Sequence, residues 1–363
     1  MTVDLTYSDT EDALRDSLRS LLATHCPSTR VTALYDGDDA LVGELWRTVS
    51  TAMELPGLGL PSSLGGGAAT SREVAIAAEE LGRHVAPIPF LTSSVIGARI
   101  LTSCGADDIA RTLVDGSNIA VLAAPWTTLS LPEAGLTRVT AESDLVGNIR
   151  SVADARLATI LLVPAVRDGL LTLHAVQVGD AVITPLSCLD MTRQLADVDL
   201  AGARSEELAR GQAAAEAIEA GLLHGAAMLA SEQLGIAEWC LEQTVEYAKQ
   251  RHQFGRAIGS FQSIKHRLAR LWIAVSSARA AARNAAILLD AGGREAVEAV
   301  ALAQSYCSDV AVLAAEECIQ LHGGIGMTWE HPAHLYLKRA KADQVGLGSP
   351  AHHRAVLAQL QRL

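Results

Sequence analysis

From Ser205 onward the chain reads as helix with few interruptions, and this run limits the possible folds more than any other feature. Ile218, Leu222, Leu229, Ile236 and Val245 keep to one broad apolar stripe through Arg251, the spacing of an amphipathic helix. Further helices are predicted at Ser263 to Leu289, Glu295 to Leu321 and His334 to Asp343. Hydrophobic content is 49% with only 4% aromatic, so alanine supplies much of the apolar surface and the helices can pack closely, within one chain or between subunits. Two breaks in the run carry chemistry. Arg251-His252-Gln253-Phe254-Gly255, with Gln262 just beyond, closes one long helix, and Gln320-Leu321-His322-Gly323-Gly324-Ile325-Gly326 closes another. A fixed cation at one helix end and side-chain-free backbone at the other suit a diphosphate. The same residues also describe a helix stop and a solvated last-turn cation, and local chemistry leaves both readings open.

Ahead of that run the texture is mixed. Asp9 to Leu22, Asp38 to Leu55, Ser71 to Gly82 and Ile88 to Cys104 are predicted helices, with breaks at Leu55-Pro56-Gly57 and Gly65-Gly66-Gly67. Short apolar runs at 119–124, 159–163 and 170–176 read as strands. The expected division is therefore a helical domain over 1–116, a β domain over 117–205 and a helical bundle over 206–363. With 363 residues, such a chain has ample core without staples. Its six cysteines include no C-x-x-C pair, so neither zinc nor a disulfide framework is expected. A net charge of −12 argues against nucleic acid or an anionic membrane as partner. The opening Met1-Thr2-Val3-Asp4 leads into no apolar run, no segment suggests a membrane span, and the expected location is the cytoplasm.

The two helix-closing segments, in this order, resemble the acyl-CoA dehydrogenase family, in which R-x-x-F-G…Q and Q-x-x-G-G-x-G runs hold the pyrophosphate and adenine of the neighbouring subunit's FAD. The matching residues are Arg251, Phe254, Gln262, Gln320, Gly323 and Gly324. Gly235, Tyr247, Arg339-Ala340-Lys341 and the stretch from Gly59-Leu60-Pro61 to Glu80-Leu81-Gly82-Arg83 extend the likeness over nearly the whole chain. It implies a mainly α subunit with a central β domain, FAD, an acyl-CoA substrate and electron-transfer flavoprotein as acceptor.

The family's reaction takes a proton from the carbon beside the thioester carbonyl, which requires a carboxylate base within hydrogen-bonding reach. Of the family's two base positions, one falls on Leu347 and the other on Gly225, followed by Ala226 where an arginine is common. Glu232 stands roughly 10 Å along the helix from Gly225 and Glu219 lies on another face, so both are expected to be solvated or ion-paired. The T-E-P-x-A-G-S-D loop that meets flavin and thioester appears as Ala123-Ala124-Pro125-Trp126-Thr127-Thr128, and the strand that backs the flavin as Ser151-Val152-Ala153. Asp190-Met191-Thr192-Arg193 is expected to be structural. Trp329, Glu330, His331 and His334 are assigned to the start of a helix near Pro332, and His352-His353-Arg354 to the surface. The resemblance thus implies no catalytic residue here. It fits the base-less subunit of the actinobacterial α2β2 acyl-CoA dehydrogenases, many of which act on steroid side-chain thioesters. Such a chain shares FAD with a second subunit that carries the catalytic glutamate. A self-sufficient enzyme with a relocated base and a flavin-free acyl-CoA-binding or scaffold protein remain the alternatives.

Overall fold

The computed structural model describes residues 4–131 and 144–362, with only the backbone given at 137–139; the opening Met1-Thr2-Val3 lies outside them. The fold is mainly α, with a central β region between two helical ones.

The first helical region holds α1 (Asp9–His25), α2 (Ser28–Ala33), α3 (Ala40–Met53), α4 (Ser71–Arg83), α5 (Ala98–Ser103) and α6 (Asp107–Arg111). Reciprocal capping boxes, Ser8 with Glu11 and Thr70 with Glu73, fix the starts of α1 and α4. The helix expected from Ile88 to Cys104 begins instead as a π-helix over Phe90–Gly97 and becomes α5 only at Ala98. Apolar spacing cannot separate these forms, since both bury a run in which every residue is apolar or small.

Nine strands follow among the described residues, more than the three apolar runs suggest. β1 (Ala120–Leu122), β2 (Thr137–Val139), β3 (Leu145–Val146), β5 (Ile160–Arg167), β6 (Leu170–Gln177) and β9 (Glu206–Arg210) form one sheet, and β4 (Asn148–Ala153), β7 (Val182–Pro185) and β8 (Leu195–Asp199) a second. β5 and β6 turn over Asp168-Gly169, both with positive φ (53° and 75°), the geometry of a two-residue hairpin loop. Val121, Leu161, Val163, Val176 and Val198 pack together in a small core of the β region.

The last region is a bundle of α7 (Gln212–Gln250), α8 (Gln262–Ala291), α9 (Gly293–His322), α10 (Ala333–Val345) and α11 (Pro350–Gln361), with a short hairpin, β10 (His252–Gln253) and β11 (Arg256–Ala257), between α7 and α8. α11 had no counterpart in the apolar pattern. Among the described residues one helix, α9 with the turn that follows it, is long and apolar enough to cross a membrane, contrary to the expectation that no segment would be; 67% of its apolar window is buried inside the protein.

Two glycines let α4 and α7 meet backbone to backbone. A Cβ on Gly82 would lie 2.1 Å from the Glu232 carbonyl oxygen, and one on Gly235 would lie 1.9 Å from that of Glu79. This crossing docks the first helical region on the bundle and sets the depth at which Glu232 is buried.

Candidate nucleotide edge and closed ring cleft

The residues matched to FAD gather at one end of the bundle. Arg251 caps α7, its N–H donating to the Tyr247 carbonyl (2.8 Å), and its carbonyl accepts from Ile258 N–H across the β10–β11 hairpin (2.8 Å). Tyr247 stacks on His322 with ring centroids 4.3 Å apart, which places the end of α7 beside Gly323 and Gly324 at the end of α9. Gln262 opens α8 at the same end, and Arg267 pairs with Glu317 (2.8 Å) to tie α8 to α9. Gln320, Gly323 and Gly324 are exposed, as are Arg251 and Gln262. Phe254 is 91% exposed and held at φ 54°, an uncommon backbone state for a bulky residue. Among the described residues Arg251 has no ion pair. A free cation, two glycines and a projecting aromatic ring on one edge are suited to the adenine and pyrophosphate half of a dinucleotide.

The cleft where the likeness expects the flavin ring is filled by the chain itself. Trp126 is buried; its Nε1–H donates to the Ala342 carbonyl (3.0 Å) and its backbone is pinned to Ser151 and Leu347 (2.9 and 2.8 Å). The Arg193 guanidinium lies 4.6 Å from the indole centroid. The space left between Trp126, Thr92, Ile96, Leu222 and Leu347 is about 20 Å³, room for one water molecule. An isoalloxazine does not fit there. The two base positions do converge: a Cβ on Gly225 would lie 2.9 Å from Leu347 Cδ1 and 2.7 Å from Ile96 Cγ1. Side chains of Leu347 and Ile96 stand where the family likeness expects a base. Ser151, Asp154 and Leu347 all have positive φ, 56°, 56° and 50°, so left-handed backbone at non-glycine residues clusters at this cleft although it is closed.

Glu232 corrects one expectation. It is ion-paired, as one of the two expected states had it, but buried and not at the helix surface: its Oε1 accepts from Arg193 (2.6 Å) and Arg339 (2.7 Å). Burial alone would raise its pKa, but the two guanidiniums hold the carboxyl below the ordinary range. Arg339 also reaches Asp190 (3.4 Å), Thr192 (2.7 Å) and the Ala86 carbonyl (3.0 Å). Asp343, bonded to Arg193 at 3.2 Å, is pushed upward by burial and by the Glu232 charge. A carboxylate between two fixed cations is a poor base. The cluster ties the β region, α7 and α10 together, in keeping with a structural role for Asp190 and Arg193. Glu219 is exposed.

His353 is a second correction: it is buried, and its Nε2–H donates to the Leu347 carbonyl (2.9 Å), holding the loop that carries Leu347. Near Pro332, His331 Nδ1 accepts from Ala333 N–H at the start of α10 (3.2 Å). The residues that close the cleft, Ile96 and Trp126, were not foreseen. The sequence offered one signal, a tryptophan where the family's loop has a variable position.

A family profile described as "Acyl-CoA dehydrogenase, C-terminal domain" matches residues 215–360, and one described as "Acyl-CoA dehydrogenase, N-terminal domain" matches 8–115. The chain is 34% identical over 358 residues to the acyl-CoA dehydrogenase IpdE2 of Mycobacterium tuberculosis, covering 98% of each. It superposes on a chain of the ChsE4-ChsE5 complex of Mycobacterium tuberculosis with a TM-score of 0.88 and 26% identity, covering 99% of each. A chain of the Tcur3481-Tcur3483 steroid ACAD gives 0.85 and 24%, covering 98% of each, a likeness of fold.

Proposed function

The chain belongs to the acyl-CoA dehydrogenase family, and on that premise we propose that it is the non-catalytic subunit of a heteromeric, FAD-dependent acyl-CoA dehydrogenase. Arg251, Phe254, Gln262, Gln320, Gly323 and Gly324 hold the adenine and pyrophosphate of FAD. A partner chain of the same family binds the ring and supplies the glutamate that removes the substrate proton. The partner's reduced flavin passes its electrons to electron-transfer flavoprotein. The acyl-CoA is of the steroid side-chain type, the class that the likeness to actinobacterial heteromeric subunits implies.

One observation carries the reading: the open nucleotide edge and the closed ring cleft occur in the same chain, with about 20 Å³ left beside Trp126. The relative solved as the ChsE4-ChsE5 complex supports pairing with a different chain. Relocation of the base to Glu232 is disfavoured by its two arginine partners.

The test is the absorbance spectrum of the chain purified alone and with a co-expressed family member. We expect flavin bands and dehydrogenase activity only from the pair. Arg251→Glu should strip FAD from the pair, because it places an anion against the pyrophosphate; unchanged FAD content would favour the flavin-free scaffold. A yellow homo-oligomer bleached by an acyl-CoA would overturn the reading.

A further inference from the structure

A second cavity, of about 410 Å³, lies beside the π-helical turn. Thr92 and Ile96 line the closed cleft, whereas Ser94, Val95, Ala98 and Arg99 line this cavity. Its other walls come from the Gly59–Pro61 loop, the start of α4, His224 and Met228 on α7, and Asp290 near the end of α8. The volume is that of a small-molecule site.

Three features of its lining point to a ligand. Of three consecutive hydroxyls, Thr92 donates to Asp154 (2.7 Å) and Ser93 accepts from Ala120 N–H (3.1 Å), but Ser94, only 9% exposed, has no partner. Buried hydroxyls are rarely left so, and a π-helical turn is itself uncommon outside functional sites. Arg99 makes no ion pair or side-chain hydrogen bond among the described residues. Asp290, which shares the cavity, makes no ion pair with Arg99 among the described residues; it accepts from the N–H and hydroxyl of Ser71 (2.9 and 2.6 Å) at the start of α4 and keeps its charge. His224 Nδ1–H donates to the Ala220 carbonyl (2.9 Å), leaving an Nε2 lone pair. Burial, reinforced by the Arg99 charge, pushes this imidazole down to about 4, so the ring is neutral at physiological pH. The polar half of the cavity therefore offers one unmatched cation beside two acceptors. Leu60, Pro61, Val74, Val95 and Met228 make the other half apolar.

We propose that this cavity binds a small organic monocarboxylate with a compact apolar body. The carboxylate sits on Arg99 and the body against Val74, Val95 and Met228. A second negative charge is excluded by Asp290 and by the His224 lone pair, which removes dicarboxylates and phosphate from the class. The site shares no residue with the nucleotide edge and does not rest on the reading of the chain as a flavin-holding subunit.

Calorimetric titration of the chain, alone and with a co-expressed family member, tests this with four probes: hexanoate, cyclohexanecarboxylate, hexanamide and succinate. We expect saturable binding of the two monocarboxylates, and of the amide and the dicarboxylate about tenfold more weakly or not at all. Arg99→Gln should weaken the monocarboxylates about tenfold or more, the loss of one charged hydrogen-bonding partner. The melting temperature without ligand should not move, because the arginine is exposed and unpaired. Met228→Ala should weaken cyclohexanecarboxylate while leaving the preference for carboxylate over amide intact. Equal binding of hexanamide, unaltered affinity in Arg99→Gln, or absence of saturable binding at millimolar concentration would each overturn the proposal. The flavin content of the pair should be unaffected by Arg99→Gln, so failure here and failure of the flavin reading can be told apart.

Discussion

Glu232, Arg193 and Arg339 are all buried, and no solvent screens them. Removing the shared carboxylate leaves two buried guanidiniums short of an anion, so Glu232→Gln should cost about 3–5 kcal/mol, measured by urea unfolding. Trp126→Ala removes a buried indole and should cost about 3–5 kcal/mol by the same measurement. It should not confer dehydrogenase activity, since Leu347 and Ile96 still stand where a base is needed. Glu79 supplies a pH dependence. Burial, with Glu238 and Glu80 nearby, raises its pKa from 4.5 to about 8, against the opposing charge of Arg283; Tyr7 donates to it at 3.2 Å. A raised carboxyl means the folded state holds the proton more tightly than the unfolded chain. Its contribution is therefore complete below pH 4.5 and declines as the pH rises toward about 8. Glu79→Gln should flatten that slope in unfolding titrations across the interval. At this scale the sequence was partly legible. The absence of carboxylates at Gly225 and Leu347 could be read directly. The burial of Glu232 could not, because its partners Arg193 and Arg339 come from distant segments.

The elements show where local pattern sufficed and where it failed. α7, α8 and α9 were legible because long periodic helices announce themselves, and their ends at Arg251 and Gly323 carry recognisable stop signals. β7 and β8 were not, since they carry no apolar run of their own, and β4 was met only through the family likeness, at Ser151-Val152-Ala153. The π-helix escaped because its residues are all buried and so carry no amphipathic period. The α4–α7 crossing lends itself to a measurement. Gly235→Ala puts a methyl group 1.9 Å from a backbone oxygen that belongs to a packed helix. Neither helix can give way without moving the other, so the expected loss is about 3 kcal/mol or more, again by urea unfolding. Glycines noted only as part of a family likeness thus act as the bearing surface between two regions.

Across the whole molecule, apolar side chains remain exposed on the outer face of the bundle. Trp272 and Ile273 on α8 are 61% and 59% exposed, and Leu302 and Leu313 on α9 are 50% and 43%. Exposed apolar side chains of this kind suit an interface when they are contiguous, and if α8 forms one, Trp272→Glu should shift the chain to a smaller assembly in sedimentation velocity without altering its helical content. The order of helices, sheet and bundle was legible from periodicity, while the division between an open edge and a filled cleft required coordinates. The filled cleft also bears on descent. Under the non-catalytic role proposed above, regaining independent chemistry would take replacement of Trp126, Ile96 and one of Gly225 or Leu347 together, since a change at Trp126 alone opens a void and one at Gly225 alone forces a clash. A chain in that role would share its inheritance with the protein that performs the reaction beside it.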